Sequence, residues 1–320
     1  MPLVLRATEV APLLDMSKAI ALTEGVLCEQ ARGRVAVHAP FHLPVENGAL
    51  RVVSGVLLDS HRMGLRCGPT MPVPNGTRGN HAALLYDTSG ELLAIIGYQF
   101  GTLRTGATIA ASVKHLSRPD AGLIGLIGTG RNALGLLEGV RLVRNITGVR
   151  AFSRDPDRRE KFCAEASRLT GVPVEPVAEA KDAVAGMDIV LTASNQRVPL
   201  FPAAWLEAGT HVSSMGPIGE LDADVFLKAD RIVVTNREQE KNYYIPTPPF
   251  PLVDLVAAGR MTWDDIPELG DVIEDHAAGR QSADDITVFH ESQGGFGDIA
   301  FASWIYDEAC QRGLGQRVSL

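Results

Sequence analysis

The run Gly122-Leu-Ile-Gly-Leu-Ile-Gly-Thr-Gly-Arg-Asn-Ala133 constrains the fold of this chain more than any other stretch. Leu123 to Ile127 is a short apolar run, the pattern of a buried strand. Gly128-Thr129-Gly130-Arg131-Asn132-Ala133 then matches Gly-x-Gly-x-x-Ala, and 134–143 continues with helical spacing. Strand, glycine turn and helix in that order are the context a dinucleotide fingerprint requires. Gly128 permits the tight turn, Gly130 lets backbone approach a pyrophosphate, and Ala133 lets helix and strand pack closely. The first N–H groups of the helix then face the phosphates. With both flanks intact, a nucleotide site is favoured over an ordinary strand-to-helix turn.

The chain around this motif alternates in the same way. Strand patterns fall at 148–152, 172–177, 188–193, 210–213 and 230–235, with helical patterns at 155–169 and 179–184. That spacing predicts an α/β fold with a Rossmann-type doubly wound parallel sheet. Upstream the pattern differs. After a strand in 1–6 and a helix over 15–33, short apolar runs from 35 to 101 alternate with Pro, Gly and Asn clusters. Asp87-Thr-Ser-Gly90 reads as a hairpin turn, so this part is a mostly antiparallel β unit, an α+β domain. A helix rich in small residues is predicted over 102–116, and Arg118-Pro119-Asp120 breaks it near the domain boundary. Near the end, 286–289 resembles a strand. Asp298 reads as the cap of a last helix whose buried face carries Ile299, Ala302, Tyr306 and Ala309.

Composition narrows the function classes. The 320 residues are 45% hydrophobic with a formal net charge of −8. Such a chain has a packed core and no general attraction for nucleic acid or acidic lipid, so a site for an anionic substrate must be local. No apolar run approaches the roughly 18 residues of a membrane helix. Arg6, Glu9 and Asp15 interrupt any secretory signal, and Cys28, Cys67, Cys163 and Cys310 are scattered as free thiols would be in a reducing compartment. A cytoplasmic protein is expected. No metal is expected either, because Pro40 separates His38 from His42, and Glu207 with His211 lacks a third ligand. Glu238-Gln-Glu-Lys241 reads as a solvated helix face.

The edge of the second strand bears on the cofactor. Ser153-Arg154 suits the extra phosphate of NADPH, while Asp155 suits the ribose hydroxyls of NADH, and the two remain open. Thr192, Ser194 and Asn236 end later strands on the same edge, where ligands sit in such sheets.

Several motifs converge on a known family. Gly101-Thr-Leu-Arg104-Thr-Gly-Ala107 precedes Leu116-Ser-Arg-Pro-Asp-Ala121 and the glycine turn. Gly209-Thr-His-Val-Ser-Ser-Met215-Gly216, Glu220-Leu-Asp222 and Asp298-Ile-Ala follow. Over nearly its whole length the chain resembles the ornithine cyclodeaminase/mu-crystallin family. The resemblance implies a homodimer and an NADH- or NADPH-dependent chemistry. It implies a dinucleotide-binding domain over 119–297 and a substrate and dimerisation domain over 1–118, rejoined by 298–320. Met215 and Gly216 join the cofactor contacts, and Arg104 takes the position of the substrate-carboxylate arginine. Residue chemistry agrees, since a helix N-terminus and an Arg fork both suit a carboxylate.

Three departures matter. Gly64-Leu-Arg66 stands where the family usually has Gly-Val-Lys, and Arg66 is a fork that stays protonated. The family's earlier arginine is replaced near Pro40-Phe41-His42. The cyclodeaminase aspartate is missing, with Pro217 and Ile218 in its region, which disfavours ring closure. Reduction of a small α-imino acid asks less. Arg66, Arg104 and His81 are the candidate catalytic residues, with Arg78 and His42 as further donors. Two carboxylates on the substrate would suit these cations, and within the family the chain most resembles the iminosuccinate reductases, which implies iminosuccinate reduced to L-aspartate. The alternatives are a deaminating cyclase and a ligand-binding protein without chemistry.

Overall fold

The computed structural model describes residues 1–73, 76–98, 100–215, 219–242, 250–292 and 295–319, with backbone alone at 72, 73 and 76–78. The chain forms two compact units: Met1–Arg104 with Asn242–Tyr244 and Gln293–Leu320, and Thr105–Lys241 with Ile245–Ser292. No helix is long and apolar enough to cross a membrane among the described residues.

The first unit is built on a sheet of nine strands among the described residues. They are β1 (Leu3–Leu5), β2 (Val35–Val37), β3 (Phe41–Val45), β4 (Gly48–Leu57), β5 (Arg62–Val73), β6 (Gly76–Arg78), β7 (Ala82–Asp87), β8 (Leu92–Gly97) and the terminal pair Gln316–Arg317. The order runs from Gln316–Arg317 through β1, β8, β7, β5 and β4 to β2, with β3 on β4 and β6 on β5. Only the β1–β8 pairing is parallel among these, as expected of a unit made of hairpins. Asp87 turns the β7–β8 hairpin, its carboxylate accepting from the N–H groups of Ser89 at 2.9 Å and Glu91 at 3.0 Å.

The 18-residue helix Gly295–Arg312 packs on this sheet. The approach is close because glycine permits it. A Cβ on Gly55 would come within 2.9 Å of the Phe296 backbone. One face of the β3–β4 ribbon stays uncovered: Phe41, Leu43 and Val45 alternate outward at 56%, 46% and 52% exposure, and Leu50, opposite Leu43, joins them.

The second unit holds seven parallel strands among its described residues: β9 (Leu123–Ile127), β10 (Gly148–Phe152), β11 (Val174–Pro176), β12 (Ile189–Thr192), β13 (His211–Ser214), β14 (Arg231–Val234) and β15 (Thr287–His290). Their order is β11-β10-β9-β12-β13-β15-β14. The doubly wound reading therefore holds, with the 286–289 segment inserted between the fifth and sixth strands of the sequence pattern. The order reverses between β9 and β12, and such a switch point is where these sheets bind ligands. Val190, Val212, Val234 and Val288 lie in one buried cluster with Phe226 and Leu252, while His211, Ser213 and Thr287 form a buried polar network on the other face of β13 and β15.

The helix Gly101–Leu116 begins in the first unit, and from Thr105 it counts with the second. Its middle packs against the helix Ala133–Val143 so tightly that a Cβ on Gly139 would lie 2.6 Å from the Gly106 carbonyl oxygen. This contact explains why the compact units part inside the helix, whereas the sequence breaker at 118–120 lies beyond its end.

Candidate functional site

In the first unit, four segments far apart in sequence deliver polar groups to one place. Arg66 comes from β5, Tyr98 from just after β8, Arg104 from the first turn of the Gly101–Leu116 helix, and Asp298 from the first turn of the last helix. Arg66 Nε donates to Asp298 Oδ2 at 2.8 Å, and Arg104 Nε lies 3.1 Å from Asp298 Oδ1. The Tyr98 hydroxyl donates to Asp298 Oδ1 at 3.0 Å, and its ring lies under the Arg66 guanidinium, 4.7 Å from centroid to Cζ. The side chains of Arg66, Arg104 and Asp298 are 6%, 7% and 2% exposed.

Burying such ions is costly unless they pair well, so each holds the others in place. Burial alone would push the Asp298 carboxyl up; Arg66 and then Arg104 pull it below the usual carboxylate range. Burial opposes the charge on Arg66, but Asp298 more than restores it. Tyr98 is raised by burial and then by the Asp298 anion, so its hydroxyl keeps its proton. Two cations against one anion leave the triad with a net positive charge. Nη2 of Arg66 has no hydrogen-bond partner among the described residues, while Nη1 donates to His81 Nδ1 at 3.2 Å. Because guanidinium can only donate, His81 Nδ1 accepts, and the imidazole carries its proton on Nε2.

The structure thus brings Arg66, Arg104 and His81 together. His42 sits on β3, and burial, then Arg51 and Arg66, push its imidazole down to about 4. The side chain of Arg78 lies outside the described residues.

Asp298 and Tyr98 were missed as site residues. Asp298 is a correction to the sequence reading: the last helix starts at Gly295, and the carboxylate turns inward to the two guanidinium groups instead of capping. Two buried arginines require a counter-charge, but that requirement names no residue until their burial is seen in the fold. Glu238–Lys241 needs a second correction. Gln239 and Glu240 are 0% and 3% exposed, and Glu240 Oε1 lies 2.9 Å from His290 Nδ1. Burial lowers His290, but the Glu240 carboxylate raises it overall. The helix is buried on the face that meets β15.

In the second unit the glycine turn lies against the end of β12. Gly128 has φ +102°, and a Cβ there would lie 2.5 Å from the Ala193 carbonyl oxygen. Ala193 and Ser194 follow β12 at the switch point. Gly130 lies near the same oxygen, Thr129 is buried, and Arg131 is exposed. Ala133 opens the helix without a side-chain cap from Asn132, whose amide goes to Met215 Sδ at 3.2 Å. That leaves the first-turn N–H groups for phosphate oxygens. Ser153 lies at the end of β10 with its hydroxyl on the Asp155 carbonyl, Arg154 is exposed, and Asp155 caps the helix Pro156–Thr170 by accepting from Arg158 N–H at 3.0 Å. Gly216, Pro217 and Ile218 lie outside the described residues.

Other candidate contacts have structural partners of their own. The Thr192 hydroxyl donates to Glu220 Oε2 at 2.6 Å, and the Ser194 N–H donates to Glu220 Oε1 at 3.0 Å. The Ser214 hydroxyl completes the set at 3.3 Å. Glu220 is fully buried and ties the ends of β12 and β13 together. Asn236 Oδ1 accepts from Gln239 N–H at 2.8 Å, capping the helix Arg237–Asn242. The cradle that a Cβ would fill, the uncapped helix start and the switch point together fit a dinucleotide.

The family model described as ornithine cyclodeaminase/mu-crystallin family matches residues 1–313. The chain belongs to that family. Among its relatives, a Delta(1)-pyrroline-2-carboxylate reductase of Bacillus cereus is 30% identical over 331 aligned positions, covering 99% of each chain. An iminosuccinate reductase of Paracoccus denitrificans is 25% identical, covering 99% of this chain and 100% of that one. An archaeal alanine dehydrogenase, solved as a dimer with bound NAD, superposes with a TM-score of 0.89 at 27% identity, covering 100% of this chain and 99% of that one. Within the ornithine cyclodeaminase/mu-crystallin family this chain thus matches proteins of its own full length.

Proposed function

We propose that this protein is a nicotinamide-dependent reductase of a small α-imino acid, with iminosuccinate, reduced to L-aspartate, as its preferred substrate. It is an oxidoreductase acting on a C–N bond with NADH or NADPH. The observation that carries the reading is the buried Arg66–Asp298–Arg104 triad, a cation site built into a chain that also carries a dinucleotide turn.

Gly128 to Ala133 would hold the pyrophosphate, Ser153 and Arg154 the adenosine ribose, and Thr192, Ser194, Met215 and Asn236 would line the rest of that edge. The bound dinucleotide supplies a hydride. The chain's own residues do the remainder. Arg104 and Arg66 clamp a carboxylate, which fixes the adjacent imine carbon in position. Asp298 holds both forks, and the Tyr98 ring keeps the Arg66 plane from turning. A substrate arriving as the iminium needs no proton from Arg66: its C=N double bond becomes a single bond, and the nitrogen keeps the protons it brought. His81 offers a neutral N–H donor at the same cluster.

A second reading comes from the 30% identical relative: a cyclic imine with one carboxylate, of the pyrroline-2-carboxylate kind. The deciding experiment mixes the protein with NADH or NADPH and a panel of oxo acids plus ammonia, with the cyclic imine alongside, and follows absorbance of the reduced cofactor. Oxidation with a small α-imino acid is expected. Dinucleotide binding that raises thermal stability, with no hydride transfer to any imine, would instead indicate a binding protein.

We further propose a homodimer that covers the Phe41–Leu43–Val45 face. A Phe41→Glu, Val45→Lys double variant should elute as a monomer, as measured by light scattering; an unchanged dimer would place the interface elsewhere.

A further inference from the structure

Arg51 stands in no motif of the sequence, yet strand register places it beside the cation cluster. His42 on β3 lies directly opposite Arg51 on β4. On the other side, β5 sets Gly68 opposite Arg51 and Arg66 opposite Val53. Directly opposed residues in antiparallel strands share a face, as do residues two apart on one strand. His42, Arg51, Gly68 and Arg66 therefore share one face across three strands. The opposite parity on β3 carries the exposed Phe41, Leu43 and Val45, so the ribbon is apolar on that side and carries His42 and Arg51 on the other.

The imidazole of His81 lies on the basic face as well. A Cβ on Gly68 would meet its Cγ at 2.7 Å, so glycine makes room for the ring. Arg51 and Arg66 are diagonal neighbours, roughly 7–8 Å apart on a pleated sheet. Arg51 and Arg66 both depress His42, in keeping with the register that sets all three on one face. Asp298 offsets one of Arg66 and Arg104, leaving one positive charge there. Arg51 lies a short span away on the same face.

We propose that Arg51 is the specificity-determining residue for a second anionic group, holding the distal carboxylate of a short dicarboxylate imino acid while Arg66 and Arg104 hold the proximal one. The inference rests on the reductase reading, and it adds a residue that neither the glycine turn nor the arginine motifs identify.

The test uses calorimetry on the NAD⁺-loaded protein with succinate and with propionate, for wild type, Arg51→Gln and Arg51→Lys. Arg51→Gln should weaken succinate on the order of 100-fold, as expected when one partner of a partly buried charge pair is removed. Propionate should stay within about 2-fold, and Arg51→Lys should recover part of the succinate loss. In turnover, the same variant should raise KM for the two-carboxylate imine and leave the pyruvate-derived imine unchanged. If Arg51→Gln alters succinate and propionate by one factor, or neither is bound by wild type, the proposal is overturned. Imine reduction without selective loss removes Arg51 and leaves the reductase standing. Selective loss of succinate in a protein that reduces no imine does the reverse.

Discussion

Asp298 and Glu220 are both buried carboxylates, and their surroundings treat them in opposite ways. Asp298 faces two guanidinium groups and a phenol; Glu220 faces two hydroxyls and one amide N–H. Burial pushes both carboxyls up. At Asp298 the cations more than reverse it, whereas at Glu220 neutral donors do not, and that carboxyl ends above its usual range. Dipoles satisfy hydrogen-bonding capacity without cancelling charge, while cations do both. The first arrangement is a charged device with cations to present to a ligand. The second is a strut that joins two strand ends beside the glycine turn.

The difference can be broken at its stronger end first. Asp298→Ala leaves two buried cations facing each other and should cost about 3–5 kcal/mol of stability. Asp298→Asn should lose nearly as much, because it keeps the shape and not the charge; chemical denaturation measures both. Arg66→Ala comes next. It should cost about 2–5 kcal/mol of transition-state binding, read as kcat/KM, with cofactor affinity little changed. Arg66→Lys should be partly active, since an ammonium cannot form the planar fork.

At the strut the effects should be smaller. Gly128→Ala forces a left-handed φ and a clash with the Ala193 carbonyl, whose neighbour Ser194 is anchored on Glu220. It should cost about 1–3 kcal/mol and weaken dinucleotide binding, measured by fluorescence titration. Glu220→Gln should cost less than about 1 kcal/mol, because the hydroxyls of Thr192 and Ser214 can rotate to accept from an amide as they donate to a carboxylate.

Their pH dependences should also diverge. The Asp298 contribution, from a depressed pKa, is present above the unfolded value of about 3.9 and is lost as pH falls through the folded one. The Glu220 contribution, from a raised pKa, is full below about 4.3 and is lost as pH rises through the folded value. Stability should therefore vary less with pH above about 4.3 in Glu220→Gln than in wild type. An unchanged profile would mean that Glu220 titrates alike folded and unfolded.

How much of this was legible in the sequence follows from what carries each feature. The parallel sheet was legible because short strand patterns alternate with helical ones at regular spacing, led by the apolar run Leu123–Ile127, and the glycine turn has a mechanism at each position. Arg66 and Arg104 were legible as candidates because they stand at motif positions of the family the chain resembles, and His81 as a further polar donor. Asp298 was not, since an aspartate after a glycine-rich segment looks the same whether it caps a helix or pairs two arginines from distant segments. Glu240 looked solvated because its partner, His290, comes from a distant strand. Arg51 depended on register, and register belongs to the folded sheet: a shift by one residue would have turned it to the apolar side.

The central claim is that the cation face selects an imine with two carboxylates. Its most direct test is the ratio of kcat/KM for the imine of oxaloacetate to that of pyruvate, both formed with ammonia and reduced by the wild-type protein. A ratio of about 100 or more is predicted, because the one-carboxylate substrate leaves the half-buried Arg51 without the carboxylate it would hold. Equal values would contradict the dicarboxylate assignment while leaving the reductase intact.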